Sequence, residues 1–158
     1  MIVMEPIAYV RSTRTTPDDD YWGGLESDLV LTDAVAPEAL FGIETFSHAE
    51  IVFYFDRLDP QTIARAVRHP RGNDQWPQVG IFAQRGSPRP NRIGCTMVRV
   101  VAREGRVLRV AELDAMDQTP VLDIKPVFRE FLPRGPIIQP AWSHAVMAHY
   151  WAPPEARG

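Results

Sequence analysis

A single cysteine, Cys95, stands among the 158 residues. No disulfide can close within such a chain, and nothing calls for an oxidising compartment, so the expected location is the cytoplasm. One thiol also excludes a cysteine-rich zinc cluster. The histidines His48, His69, His144 and His149 fall in no H-E-x-x-H spacing, and no metal is expected. Long apolar runs are missing too. The opening MIVMEPIAYVRS meets Glu5 and Pro6 before a signal-peptide core develops, and no later run approaches the roughly 18 residues of a membrane span. A glycine-rich G-x-G-x-x-G turn is absent, as is any strand-helix-strand alternation, which removes the doubly wound nucleotide-binding fold. A large excess of charge of one sign is also missing, with 17 lysines and arginines against 20 acids. With a net charge of −3, a polyanionic partner must be held by a local basic patch and not by the field of the whole molecule.

An apolar fraction of 45% and a charged fraction of 23% are ordinary for a globular chain, and 15 prolines against 10 glycines imply rigid turns and non-helical connections. Residues 1–158 suit one domain, which at this size buries roughly 70% of its unfolded surface. Strands are expected at Ile7 to Arg11, Asp28 to Thr32, Ala49 to Phe55, Val79 to Ala83, Ile93 to Ala102, Arg106 to Leu113 and Val121 to Ile124. Arg103-Glu104-Gly105 reads as a hairpin turn. A short helix is expected over PQTIARAVRH after the capping Asp59, and a terminal helical turn or two over Ser143 to Trp151. Many short strands with brief helices between them predict a mainly β fold, a small antiparallel barrel.

Three segments can carry chemistry. GIFAQRGSPRPNRIG, residues 80–94, is stiffened by proline and glycine and presents Arg85, Arg89 and Arg92, whose planar forks suit carboxylate or phosphate. Arg65, Arg68 and Arg71 extend this basic third of the chain, while Asp18, Asp19 and Asp20 concentrate the acids. LDAMDQTPVLDIKP, residues 113–126, sets Asp114, Asp117 and Asp123 beside Lys125. Ionised carboxylates there can hold ribose hydroxyls or an amino group. Asp117-Gln118-Thr119-Pro120 is also an ordinary turn, so Asp114 and Asp123 are the stronger candidates. GIETFSHAE, residues 42–50, holds Ser47 and His48 without the nucleophile elbow or third member of a triad. Tyr21 and Trp22 either stack on a base or plug one end of the barrel.

Taken together and in this order, GIETFSH, GIFAQRGSPRPNRIG and LDAMDQTPVLDIKP resemble the TsaA-like, or TrmO, family of S-adenosylmethionine-dependent methyltransferases, over about residues 7–127. The resemblance implies a β-barrel that binds S-adenosylmethionine, a homodimer, and methylation of N6 of threonylcarbamoyladenosine in tRNA. By motif it places Arg85, Leu113, Asp114 and the backbone of Cys95 on the cofactor, with Gly23 and Gly24 in the N-terminal loop. Three positions depart from the family pattern. Arg92 stands for the proline of NPIG, Gln118 for the glycine of DGTP, and Val127 for the tyrosine of DIKPY. The chain also stops soon after the motifs, whereas tRNA-modifying members carry an additional C-terminal domain.

Methyl transfer from a sulfonium is an in-line displacement that requires alignment and no covalent intermediate. Asp114 and Asp123 are the candidate catalytic groups, as proton acceptors through water. Arg89, Arg92 and Lys125 are the candidate substrate-binding cations, matched to a threonine carboxylate or phosphate. The alternatives are a small-molecule methyltransferase and a non-catalytic S-adenosylmethionine-binding regulatory module.

Overall fold

The computed structural model describes residues 1–158. Six antiparallel strands close a barrel: β1 (Ala8–Arg11), β2 (Glu26–Leu31), β3 (His48–Tyr54), β6 (Ile93–Glu104), β7 (Val107–Ala111) and β8 (Pro120–Pro126), in the order β1-β2-β7-β6-β3-β8. Closure comes from β1 pairing β8 through Ala8 with Val121 and Tyr9 with Pro120. The period-2 alternation in β3 explains why the apolar run folds this way: Ala49, Ile51 and Phe53 are buried, while Glu50, Val52 and Tyr54 face outward. The core joins these to Val10, Leu29, Val98, Leu108, Val110, Leu113 and Val121. On the outer surface, Asp28 of β2 lies between Arg11 of β1 and Arg109 of β7, its partners across both ladders. The Arg109 hydrogen bond, opposed by burial and joined by the Arg11 bond, holds the Asp28 carboxyl below the usual range.

The β6-β7 hairpin forms as expected. Glu104 pairs Val107 across a two-residue loop in which Gly105 has a φ of 56°, a left-handed conformation that glycine adopts without steric cost. The expected helix over residues 60–69 does not form. Asp59 caps a 3-10 turn at Pro60–Thr62, after which the chain extends into β4 (Val67–Arg68), paired with β5 (Val79–Gly80). A helix so short is marginal without an apolar face to bury, and Val67 is exposed. The backbone instead bonds to the neighbouring loop, from Ile81 N–H to the Ala66 carbonyl and from Ala64 N–H to the Pro88 carbonyl. The expected strand over residues 79–83 is correspondingly cut to β5 by a 3-10 turn at Ile81–Ala83. At the C-terminal end, α1 (Ala141–Val146) buries Val146 and passes into turns. No helix is long and apolar enough to cross a membrane.

Candidate functional site

β7 leaves β6 early, and this opens the site. Pairing between them begins at Arg99 with Ala111, so residues 93–98 of β6 are laddered only to β3. The chain that would have continued β7 turns at Glu112, with a φ of 71°, and runs past this seam as Leu113 and Asp114. Arg85, from the proline-stiffened loop, donates to the Cys95 carbonyl at 2.9 Å. Thr96 Oγ1 donates to Asp114 Oδ1, and Tyr150 donates its hydroxyl to Asp114 Oδ2. A cation and a carboxylate thus flank the first half of β6, from segments 29 residues apart.

The remaining site candidates differ in how they stand to this seam. The Leu113 side chain is fully buried, which leaves its backbone for any ligand. Cys95 turns its thiol outward to Glu50 Oε1 at 2.9 Å. Burial first, then the Glu50 hydrogen bond, push this thiol up to about 11. Cys95 should therefore resist iodoacetamide in the folded protein at pH 8 and react after unfolding, as followed by mass spectrometry; rapid labelling of native protein would contradict that environment. Stability should also fall as pH rises from about 9 to 11, because over that window the unfolded thiol loses its proton and the folded one retains it.

Gly24 has a φ of 72° in open space, whereas a Cβ on Gly23 would collide with the Trp151 carbonyl. Asp123 is not brought to Asp114. It lies on β8 opposite Val52, whose other neighbour is Cys95, two strand spacings or about 10 Å away. Its carboxylate pairs with Lys125 Nζ at 2.7 Å. Arg89 is tied to the Gln84 carbonyl at 2.8 Å, and the Arg92 guanidinium sits 4.8 Å above the Tyr54 ring.

The acidic loop has structural partners throughout. Asp18 pairs with Arg157, and Asp20 is bridged by both terminal nitrogens of Arg71. Arg14 is buried against the Asp20 and Tyr21 carbonyls with its guanidinium 4.1 Å from the Trp22 ring. Trp22 is only 3% exposed, which removes its ring as a stacking platform; it packs against Arg14, outside the barrel's core cluster. Ser47 Oγ and His48 Nδ1 are 2.7 Å apart on the surface, with no third group.

The family description tRNA-methyltransferase O N-terminal domain matches residues 9–131, which contain the whole seam apart from Tyr150. The chain belongs to that family. A Pyrococcus abyssi protein named "Probable S-adenosyl-L-methionine-binding protein" is 36% identical over 83% of this chain and 71% of its own length. The tRNA (adenine(37)-N6)-methyltransferase of Escherichia coli is 39% identical over 61% of this chain and 43% of its own. Among solved structures, TrmO from Pseudomonas aeruginosa superposes with a TM-score of 0.69 at 28% identity, covering 87% of this chain and 61% of that one. The chain therefore spans only part of the named methyltransferases. Membership of the tRNA-methyltransferase O N-terminal family bears out the resemblance and the barrel.

Two departures from the family pattern have backbone consequences. Arg92 has a φ of 51° and donates its N–H to the Arg89 carbonyl. A proline, locked near −65° and lacking that hydrogen, could do neither, so this loop takes its own path there. Gln118 has a φ of 67°, which accounts for glycine as the family's usual residue. Gln118→Gly should raise the melting temperature by about 2–4 °C, on the order of 1 kcal/mol, in differential scanning calorimetry. A lower melting temperature would remove the strain argument. Sequence reasoning missed Thr96 and Tyr150. Thr96 follows the matched Cys95 directly and could have been suspected; Tyr150 lies 36 residues from Asp114 and carried no signal.

Proposed function

We propose that this chain is an S-adenosylmethionine-dependent methyltransferase acting on N6 of threonylcarbamoyladenosine in tRNA, in the cytoplasm and as a homodimer. The observation that carries the reading is the placement of Arg85 and Asp114 on neighbouring residues of β6, through Cys95 and Thr96, inside the family-matched residues. The donor set fits the cofactor. S-adenosylmethionine ends in an ammonium and a carboxylate and carries ribose hydroxyls. Asp114 offers acceptors to the amino or hydroxyl groups, and the exposed Arg85 keeps guanidinium donors beyond the one spent on Cys95. When bound, S-adenosylmethionine supplies an electrophilic methyl carbon on sulfur. The backbones of Leu113 and Cys95 and the loop at Gly23 and Gly24 would hold the cofactor.

For the acceptor, Arg89, Arg92 and Lys125 supply cations to a threonine carboxylate or a phosphate. The departing N6 proton passes to water. Met97, Phe128 and Phe131 line an open groove of about 260 Å³ with Glu50 and Lys125 on the outer face of β3 and its neighbours. Exposed apolar surface of this kind supports a second copy as partner.

The test is transfer of labelled methyl from S-adenosylmethionine to tRNA with and without threonylcarbamoyladenosine, read by nucleoside mass spectrometry at two salt concentrations. Modified tRNA should be strongly preferred, because unmodified adenosine leaves the arginines without a carboxylate. Labelling should fall at higher salt, since a net acidic protein holds RNA by few phosphate contacts. Equal labelling of both tRNAs would defeat the carboxylate argument. No labelling of either, alongside cofactor binding, would turn the reading to a small-molecule acceptor.

A further inference from the structure

Residues 147–157 lie beyond the family-matched region, which ends at 131, yet they form part of the seam. The strap supplies backbone carbonyls to three successive N–H groups of the N-terminal loop: His149 to Tyr21, Tyr150 to Trp22 and Ala152 to Gly23, at 2.9–3.2 Å. The imidazole of His149 lies parallel to the Tyr21 ring. Arg157 bridges Asp18 with two hydrogen bonds. The Trp151 carbonyl occupies the space a side chain at Gly23 would need. So many attachments leave Tyr150 little freedom, and its ring packs edge-on against Trp151 at 4.9 Å.

From this framework the Tyr150 hydroxyl reaches Asp114 Oδ2 while Thr96 holds Oδ1. Each carboxylate oxygen receives one hydroxyl hydrogen, and the plane of the group is thereby set. Each oxygen also keeps acceptor capacity for a ligand. Burial, reinforced by the Asp114 charge, raises the phenol far above its ordinary range, so Tyr150 remains a donor at any working pH.

Resting on the proposed cofactor role of Asp114, we infer that Tyr150 is a positioning residue, which holds the Asp114 carboxylate in the orientation that receives the cofactor's amino or hydroxyl groups. The strap thus completes a binding site whose other members all lie in the matched barrel. Tyr150 touches neither methyl donor nor acceptor. Its loss is felt in cofactor affinity, through Asp114, and not in the chemical step.

The experiment has one readout with ligand and one without. Tyr150→Phe should weaken S-adenosylhomocysteine binding about tenfold in calorimetry, the effect of one lost hydrogen bond to a charged group. In methyl transfer it should raise the KM for S-adenosylmethionine and change kcat less than about twofold. In an Asp114→Asn background the same substitution should have no further effect. Without ligand, tyrosine ring-¹³Cζ NMR should show one of the four tyrosine resonances vanish in Tyr150→Phe and shift in Asp114→Asn. Wild-type affinity in Tyr150→Phe, an equal loss in both backgrounds, or a Cζ resonance unmoved by Asp114→Asn would each overturn the inference. If the wild-type protein bound no S-adenosylhomocysteine, the functional reading and the cofactor role of Tyr150 would fall together, while the resonance would still report the contact.

Discussion

Asp114→Ala is expected to lower S-adenosylmethionine affinity by about a hundredfold or more and to abolish measurable methyl transfer. The carboxylate holds two hydroxyl donors already, and hydrogen bonds to a charged group contribute roughly 1.5–3 kcal/mol each, so two ligand contacts account for that factor. The substitution also strips Thr96 and Tyr150 of their acceptor, and the melting temperature should fall as well. Arg85→Ala should cost about tenfold, because only one cation is removed and Cys95 loses a partner on its carbonyl alone. Arg103→Ala serves as the control: its guanidinium is spent on Glu44 at 2.8–2.9 Å, away from the seam. Calorimetric titration distinguishes the three. Equal affinities for Arg85→Ala and Arg103→Ala would remove Arg85 from the site, and an unaltered Asp114→Ala would remove the cofactor from the seam.

Gly94→Val should be the most damaging substitution in the barrel. A Cβ at position 94 would stand 2.5 Å from two atoms of the Phe53 ring and 2.9 Å from Phe55. Phe53 is 1% exposed and meets the partly buried Phe55 edge-on at 5.3 Å, so the Phe53 ring has no room to withdraw. Overpacking of this kind costs about 1–3 kcal/mol for small insertions, and valine adds three carbons. A fall of the melting point by about 6–12 °C, or failure to fold, is the expected result, with Gly94→Ala intermediate. Thermal unfolding followed by circular dichroism checks it. A Gly94→Val protein melting with the wild type would show that the rings can move aside.

The two phenylalanines explain why Gly94 stands in the Ile93-Gly94 pair that the sequence already marks. The marking was legible; the cause was not, because Phe53 pairs with Gly94 from 41 residues away across β3 and β6. The same division runs through the site. Asp114 and Arg85 were readable as charged groups in stiff, turn-rich segments, and their local composition was sufficient to single them out. Their common seam depends on where β7 stops pairing with β6, which no local pattern records. Arg71, Asp18 and Asp20 read as free basic and acidic clusters, yet the fold pairs them across the molecule. Opposite charges separated in sequence look like patches until tertiary structure brings them together.

The strand pattern, the hairpin at Gly105 and the candidate loops belonged to the sequence, since alternation and turn chemistry act over a few residues. The lost helix at 60–69 shows the limit of that range. Its spacing of Ile63, Ala66 and Val67 was helical, but the hydrogen bonds from Ile81 N–H to the Ala66 carbonyl and from Ala64 N–H to the Pro88 carbonyl drew the backbone into extended structure. Only the tertiary structure decided how the barrel closes, which carbonyl Arg85 engages, and that Tyr150 returns from the far end of the chain to Asp114. The physical reason is that each contact lies beyond the few residues over which alternation and turn chemistry act, and its free energy depends on partners that are in place only once the strands have closed.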